Sequence, residues 1–369
     1  SGYVCSVICP ICTNMLTGIK QKLGAAALLN LLFTDNFIRH WHQIFVNQQY
    51  IRIFRLAIGS TLSVAISYSI EWPLSFLTPI LTVIFLSLPL PMLKPGQLLA
   101  LMLMTMVAVF IGVALASYLL PYPVIFIIAL GLLLFHAYYF MNRGGPIWFV
   151  INLLISILLM PMLANIHGGL ATGVGLGFTL SSWVAIMMIY ISQALLPDAV
   201  EAKRPKKKGL VKGYVPMAAN KALKSTIVVL PLAILFTSLS STNLIVVIIS
   251  TAVHSLTPDI TKGREAVGNS LISTLIGGAA AFFIYWMCVA VPQLYFFILV
   301  YFFVALLFAH RLFSDRPDAK FYSSALTTLL IVFHGSLGAG QDFISVFISR
   351  LSLIALAGVY VVTLSLIHI

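Results

Sequence analysis

Long apolar stretches dominate this chain, and short polar segments separate them at nearly regular intervals. A helix needs about 20 mostly apolar residues to cross the hydrocarbon core of a bilayer. Continuous runs of this kind favour helices over the weakly alternating strands of a membrane barrel. We therefore predict an all-α polytopic membrane protein with about twelve transmembrane helices, at roughly 53–70, 74–91, 97–119, 123–140, 147–163, 170–196, 222–239, 243–257, 266–290, 293–310, 321–337 and 345–367.

The composition agrees with a membrane environment. Of the 369 residues, 61% are hydrophobic and only 8% are charged, whereas a soluble domain carries about 25% charged residues. Such a chain cannot cover a water-facing surface, which excludes soluble enzymes and nucleic-acid-binding domains. Nucleic acid is therefore not an expected partner, despite the net charge of +12. The chain begins at Ser1 and ends at Ile369 inside an apolar run, so we expect a fragment or foreign residues at the ends.

The basic residues predict an orientation. With the N-terminus on the cytoplasmic side, twelve spans leave only Arg350 of the 21 Lys and Arg residues in an outer loop. Cytoplasmic loops of membrane proteins carry an excess of Lys and Arg. We therefore expect both termini in the cytoplasm. Residues 23–46 mix apolar and charged positions, which favours an interfacial helix.

The two halves of the chain resemble each other. Arg52 and Arg55 open the first predicted span, and Lys221 and Lys224 lie at an offset of 169. Gly112 likewise pairs with Gly278. Six spans per half would give both halves the same orientation, a common transporter plan. We thus predict two parallel pseudo-repeats of six helices, with a cytoplasmic and interfacial segment at 1–50, repeats at 51–196 and 221–369, and a basic linker at 197–220.

Several residues are candidates for a transport site. Arg52, Arg55, Lys221 and Lys224 are predicted to draw anions into a basic vestibule, although snorkelling anchors of this kind are common. His136 and His310 fall at equivalent span ends and are candidates for proton coupling; interfacial hydrogen bonding is the alternative. The second spans carry Pro79, Pro89, Pro258 and Asp259, and Pro-interrupted or short spans in two repeats indicate a binding site. These prolines could also simply end helices.

The remaining sequence motifs do not indicate a catalytic or metal site. Gly169, Gly173 and Gly177 are spaced four apart, which predicts a close helix contact. Cys5, Cys9 and Cys12 have a spacing found in some iron–sulfur enzymes, but no cofactor domain follows. We expect no cofactor and no metal site. No phosphate-binding loop and no hydrolase or zinc-protease motif occurs, so an enzyme is not expected.

The layout resembles the fusaric acid resistance family and the related aromatic acid exporters. The resemblance rests on the basic residues opening each half, the Pro-bearing second span, and Lys262-Gly263-Arg264 leading into Gly268 and Gly277-Gly278. Lys94-Pro95-Gly96 with Gly112 is a weaker copy. The short linker resembles the compact branch of that superfamily, which lacks a large cytoplasmic domain. Lys262 and Arg264 are therefore added to the candidate substrate-binding residues.

The resemblance implies a bacterial inner-membrane exporter of small aromatic or lipophilic carboxylic acids. Such exporters are expected to use the proton gradient and to work with a periplasmic adaptor protein. The basic linker is expected to attract anionic lipids. An anion channel and a non-transporting membrane assembly factor stay open as alternatives, and so does the oligomeric state.

Overall fold

The computed structural model describes residues 48–72, 74–88, 93–197, 213–239, 260–316, 318–337, 343–345, 347–349 and 351–352, with only the backbone described at 236, 238, 239, 260–267 and 320. This part of the chain forms helices and contains no strand, which confirms the all-helical prediction for it. The helices are α1 (Gln48–Ile70), α2 (Leu77–Ser87), α3 (Pro95–Ala114), α4 (Pro123–Asn142), α5 (Ile147–Ile166), α6 (Gly168–Leu195), α7 (Pro216–Leu239), α8 (Ile260–Ala290), α9 (Leu294–Leu312) and α10 (Ala319–Leu337).

The chain is a multi-pass membrane protein. Eight of the described helices are long and apolar enough to cross a bilayer, namely α1, α3 to α9. Two further apolar helices, Leu77–Ser87 and Phe321–Leu337, are shorter. The span predicted at 243–257, most of the one at 345–367 and the interfacial helix at 23–46 lie outside the described residues. The count of twelve spans therefore stays a prediction.

Helices distant in the sequence share their cores. α1 packs against α2, α6 and α9, while α7 packs against α4 and α5. One buried cluster joins residues of α1 and α2, such as Leu56 and Val83, to Tyr301 of α9 and Leu329 of α10. A second cluster joins α3, α4 and α5 to Val229 of α7. Each core thus combines helices from early and late parts of the chain.

Two glycines allow the closest helix contacts. A Cβ atom on Gly112 would lie 2.6 Å from the Ser156 backbone, so α3 and α5 meet there without an intervening side chain. Gly277 of α8 faces the Ala325 carbonyl of α10 in the same way. The sequence comparison paired Gly112 with Gly278, but Gly278 faces Phe347 instead. The correspondence of the two halves stays a prediction.

The three glycines of the predicted contact in α6 have different environments, and only Gly177 is buried. Gly169 and Gly173 are exposed, and no described residue of another helix lies within 4 Å of a Cβ placed on either. Gly175 is the close-contact position, since its Cβ would lie 2.7 Å from Val113 of α3. The four-residue spacing is therefore not decisive, because the buried face of α6 depends on where α3 crosses it.

Candidate functional site

The shortest helix, α2, lies at the centre of the candidate site. It has 11 residues and so rises about 16 Å, roughly half the thickness of a bilayer core. It contacts α1, α6 and α10, and eight of its residues are buried. Pro79 is the third residue of α2, where its missing N–H breaks no helical hydrogen bond. The predicted span at 74–91 implied that Pro79 interrupts a longer helix. Pro79 instead lies in the first turn of α2.

Ser181 of α6 holds the segment that leads into α2. Its hydroxyl accepts a hydrogen bond from Trp72 Nε1 and donates one to the Leu74 carbonyl, both at 2.8 Å. The Thr78 hydroxyl donates to the Ser181 carbonyl at 3.2 Å. Three positions before or within the first turn of α2 are thus fixed to one residue of α6.

The far end of α2 is also fixed. The Ser323 hydroxyl of α10 donates to Ser87 Oγ at 2.8 Å, and Ser87 donates to the Val83 carbonyl. Beyond α2, the Leu93 N–H donates to Gln193 Oε1 of α6 at 3.0 Å. Ser181 and Gln193 are twelve positions apart, or about 18 Å along a helix. α6 therefore holds the chain on both sides of α2 at a spacing close to the length of α2.

Buried hydroxyl groups occur on both α1 and α2, and one pair of them joins the two helices. The Ser63 hydroxyl lies 2.9 Å from Thr82 Oγ1 and 2.8 Å from the Gly59 carbonyl, and the Thr82 hydroxyl donates to the Thr78 carbonyl. Ser60 and Ser67 of α1 are also fully buried. Hydroxyls inside a membrane protein are concentrated at helix contacts and along polar pathways. We define Ser60, Ser63, Ser67, Thr78 and Thr82 as the hydroxyl seam.

A half-open cavity of about 600 Å³ lies where α1 ends and α2 begins. We call it the aromatic cavity; its lining residues are Tyr68, Glu71, Trp72, Leu74, Ser75, Phe76, His334 and Leu337. The His334 ring of α10 stacks on Phe76, with ring centres 4.1 Å apart. Tyr68 Oη lies 3.5 Å from His334 Nδ1. Three chain segments thus bring an imidazole, a carboxylate and three other rings together.

The loop of this cavity has a strained backbone. Glu71 and Leu74 have φ angles of +51° and +64°, a region that residues with a side chain rarely adopt. Strain of this kind persists where surrounding contacts enforce it, and it is enriched at functional sites. In this loop, Ser181 forms hydrogen bonds with Trp72 and Leu74.

The comparison with protein families concerns this same part of the molecule. Residues 52–192 match the model of a family described as a protein of unknown function (DUF2955). Searches of curated proteins and of solved structures gave no significant match. The matched region covers most of α1, all of α2 to α5 and most of α6, and so includes Ser181 and the hydroxyl seam. His334 and Ser323 lie outside it.

The predicted basic residues occupy different environments. Arg55 is buried, with 6% of its surface exposed, and Arg52 is half-buried. Lys224 is half-buried and Lys221 is exposed. The first pair lies on α1, which packs on α9, and the second lies on α7, which packs on α4. The two pairs thus have different principal neighbours, and their joint vestibule stays a prediction.

The other predicted residues are placed as follows. His136 and His310 are both exposed on their helices, and His136 Nδ1 lies 2.7 Å from the Leu132 carbonyl of its own helix. Lys262 and Arg264 belong to α8, but their side chains lie outside the described residues. The cysteines at 5, 9 and 12 and the predicted site residues Pro89, Pro258 and Asp259 lie outside the described residues altogether.

Sequence reasoning gave little weight to the histidine that the structure places in a cavity. His334 has no counterpart in the other half of the chain, whereas His136 and His310 form a matched pair. Its partners Tyr68 and Phe76 are more than 250 positions away. The sequence around Glu71 and Trp72 interrupts the apolar pattern between the first two spans, and this interruption is the signal that marks the loop.

Proposed function

We propose that this protein is a secondary transporter that exports small aromatic or lipophilic carboxylic acids along a path beside α2. The observation that carries the proposal is α2 itself, an 11-residue buried helix held at both sides by α6. Transporters form their sites where discontinuous helices leave backbone groups available near the middle of the membrane. The hydroxyl seam supplies polar groups beside the same helix.

The second element of the proposal is a pair of parallel six-helix repeats. Two packing relationships support it. α1 packs on α9 and α7 packs on α4, so the first helix of each proposed repeat contacts the fourth helix of the other. Within each repeat, the third and fifth helices meet at a glycine, Gly112 in α3 and Gly277 in α8. A repeat axis along the membrane normal would generate both correspondences.

The proposed direction of export follows from the charges. The N-terminal halves of α1 and α7 carry Arg52, Arg55, Lys221 and Lys224, and we assign these ends to the cytoplasmic side. Anionic substrates would collect there and leave at the opposite end of α1. We further propose an origin in the fusaric acid resistance superfamily, a location in a bacterial inner membrane, proton coupling and a periplasmic adaptor partner; no catalytic step or cofactor is part of the proposal.

Cysteine labelling tests the orientation. Single cysteines at Lys207 and Asp318 should be protected from an impermeant thiol reagent in intact cells, while one at Ser241 should react. The native cysteines are first replaced by Ser to give a silent background. Labelling at Lys207 from outside the cell would contradict the span assignment and the proposed direction.

An accumulation assay tests the transport path. Cells producing the protein should accumulate less of a lipophilic aromatic acid than cells without it, and collapsing the proton gradient should remove the difference. Thr82→Val and Ser63→Ala should each raise accumulation towards that of cells without the protein, because they remove hydroxyls beside α2. Thr226→Val is the matched control, since Thr226 is a buried threonine of α7 that donates to the Ala222 carbonyl of its own helix.

Three outcomes would redirect the proposal. Equal accumulation across a broad panel of such acids, with the protein present in the membrane and its adaptor supplied, would exclude export of this class. Flux that follows the anion gradient and ignores pH would indicate a channel. Full activity of both seam variants would move the path away from α2.

A further inference from the structure

The aromatic cavity contains an unbalanced negative charge. Among its described lining residues, Glu71 is the only one with a formal charge at neutral pH when histidine is counted as neutral, and neither Lys nor Arg is present. Glu71 is exposed, whereas Tyr68, Trp72, Phe76 and His334 are half-buried. An exposed carboxylate and four half-buried rings thus line the same cavity.

The rings are held in place before any ligand arrives. Trp72 is fixed by its bond to Ser181, and Phe76 is stacked on His334. Tyr68 contacts Phe297 edge to face, with ring centres 5.4 Å apart, in addition to its polar contact with His334. Rigid walls reduce the ordering cost of binding.

A carboxylate beside several aromatic rings is suited to a cation. The faces of aromatic rings carry negative potential and attract ammonium groups within about 6 Å of the ring centre. Quaternary ammonium ions have no N–H donors, so they are recognised by rings and by carboxylate charge rather than by hydrogen bonds. An anion in the same cavity would meet Glu71 without a compensating Lys or Arg among the described lining residues.

We propose that the aromatic cavity is a binding site for a small organic ammonium ion. The site lies at the end of α1 opposite the basic residues, so it is separate from the cytoplasmic anion vestibule proposed above. It does not depend on export of carboxylic acids, and binding can be measured without transport. The proposed ammonium ion would bind on the same side of the membrane as the end of the proposed export path.

Isothermal titration of the purified protein in detergent tests the proposal. The probes are choline, its uncharged isostere 3,3-dimethylbutan-1-ol, and benzoate as an aromatic anion. Choline should bind at least tenfold more tightly than the alcohol, because the two share a shape and differ in charge. Benzoate should not compete with choline for the cavity.

Variants assign the site. Glu71→Gln should weaken choline binding about 2- to 5-fold, as expected for an exposed charge contact. Phe76→Leu keeps an apolar side chain but removes a ring, and should weaken it about 2- to 30-fold. Asp315→Asn is the matched control, because Asp315 is an exposed carboxylate after α9, remote from the cavity, and its loss should leave choline binding unchanged.

The outcomes separate cation, apolar and anion binding. Equal affinities for choline and the alcohol would overturn the proposal in favour of an apolar site. Competition of benzoate with choline in the parent protein would overturn it in favour of an anion site. Absence of choline binding at millimolar concentration would also overturn it, as would equal losses in Glu71→Gln and Asp315→Asn. None of these results depends on whether the protein exports acids.

Discussion

Ser323 of α10 donates a hydrogen bond to Ser87 at the end of α2, with 2.8 Å between the two hydroxyl oxygens. These residues are separated by 236 positions in the chain. The contact is half-buried. The Ser87 hydroxyl in turn donates a hydrogen bond to the Val83 carbonyl of α2. Through it, a helix near the start of the described chain is held by one near its end.

This contact predicts a cross-link that controls α2. In Ser87→Cys/Ser323→Cys, oxidation should join α2 to α10 and lower export in proportion to the fraction cross-linked, because a path beside α2 requires α2 and α10 to separate. Reductant should restore export. The measurement is substrate accumulation alongside a gel assay after protease cleavage between the two cysteines.

The single variants Ser87→Cys and Ser323→Cys are the controls for oxidation itself, and both should be insensitive to the oxidant. Full export by a completely cross-linked population would show that this contact stays closed throughout the cycle.

Ser181 is expected to contribute more to stability than its neighbour Ser182. Ser181→Ala would leave the Trp72 N–H and the Leu74 carbonyl without their partner, at a cost of about 1–3 kcal/mol. Ser182 is also buried, but its hydroxyl has no hydrogen-bond partner among the described residues. Ser182→Ala should therefore change stability by less than about 0.5 kcal/mol. Thermal unfolding in detergent compares the two, and equal losses would contradict the role given to Ser181.

Gly112 and Gly277 should tolerate no side chain. Gly112→Ala and Gly277→Ala each place a methyl group against the backbone of the facing helix, so we expect a loss of about 1–3 kcal/mol from overpacking. Gly173→Ala is the matched control in α6, where no described residue lies near the added atom. Alanine there should stabilise the helix by up to about 1 kcal/mol. Unfolding by a mixed-micelle denaturant series measures all three.

The predicted basic residues differ in burial, and we expect their substitutions to differ in effect. Arg55→Gln should weaken the apparent affinity for an anionic substrate about 1.5- to 5-fold, or more because Arg55 is buried, whereas Lys221→Gln should have little effect because Lys221 is exposed. Arg55→Lys keeps the charge and should restore most of the affinity. The measurement is initial transport rate against substrate concentration in inside-out vesicles at low and high salt.

In the Arg55 and Lys221 variants, the loss of apparent affinity that comes from exposed charges should be smaller at high salt, because salt screens exposed charges. An unchanged affinity in Arg55→Gln/Lys224→Gln would reduce these residues to membrane anchors. A loss in Lys221→Gln as large as that in Arg55→Gln would favour a diffuse surface potential over a defined contact.

Hydropathy predicted most helix bounds because burial in the bilayer acts on each span locally. The first span was expected at 53–70 and α1 is Gln48–Ile70; the span expected at 293–310 is α9, Leu294–Leu312. The prediction for α2 was longer than the helix, since 74–91 includes the turn at Leu74 to Phe76. Leu74 in this turn has a positive φ angle and accepts a hydrogen bond from Ser181, a contact that no local pattern encodes.

The candidate site was harder to predict than the fold. Matched positions in two halves drew attention to His136 and His310, which are exposed. His334 is placed by Phe76 and Tyr68, and such partners depend on how α10 packs beside α2. The Pro-bearing second span predicted from the sequence contains α2, and Pro79 lies in the first turn of that helix rather than breaking it.

The packing of α1 on α9 sets an order for biogenesis. α1 is complete at Ile70, but the surface that covers it is not synthesised until Leu294 and beyond. During translation, the side of α1 that α9 later covers must wait in the membrane without its final neighbours. Its insertion therefore depends on its own hydropathy and on α2 and α6, which arrive earlier. A ribosome that stalls before α9 would leave this side of α1 uncovered, and such a chain would be a substrate for membrane quality control.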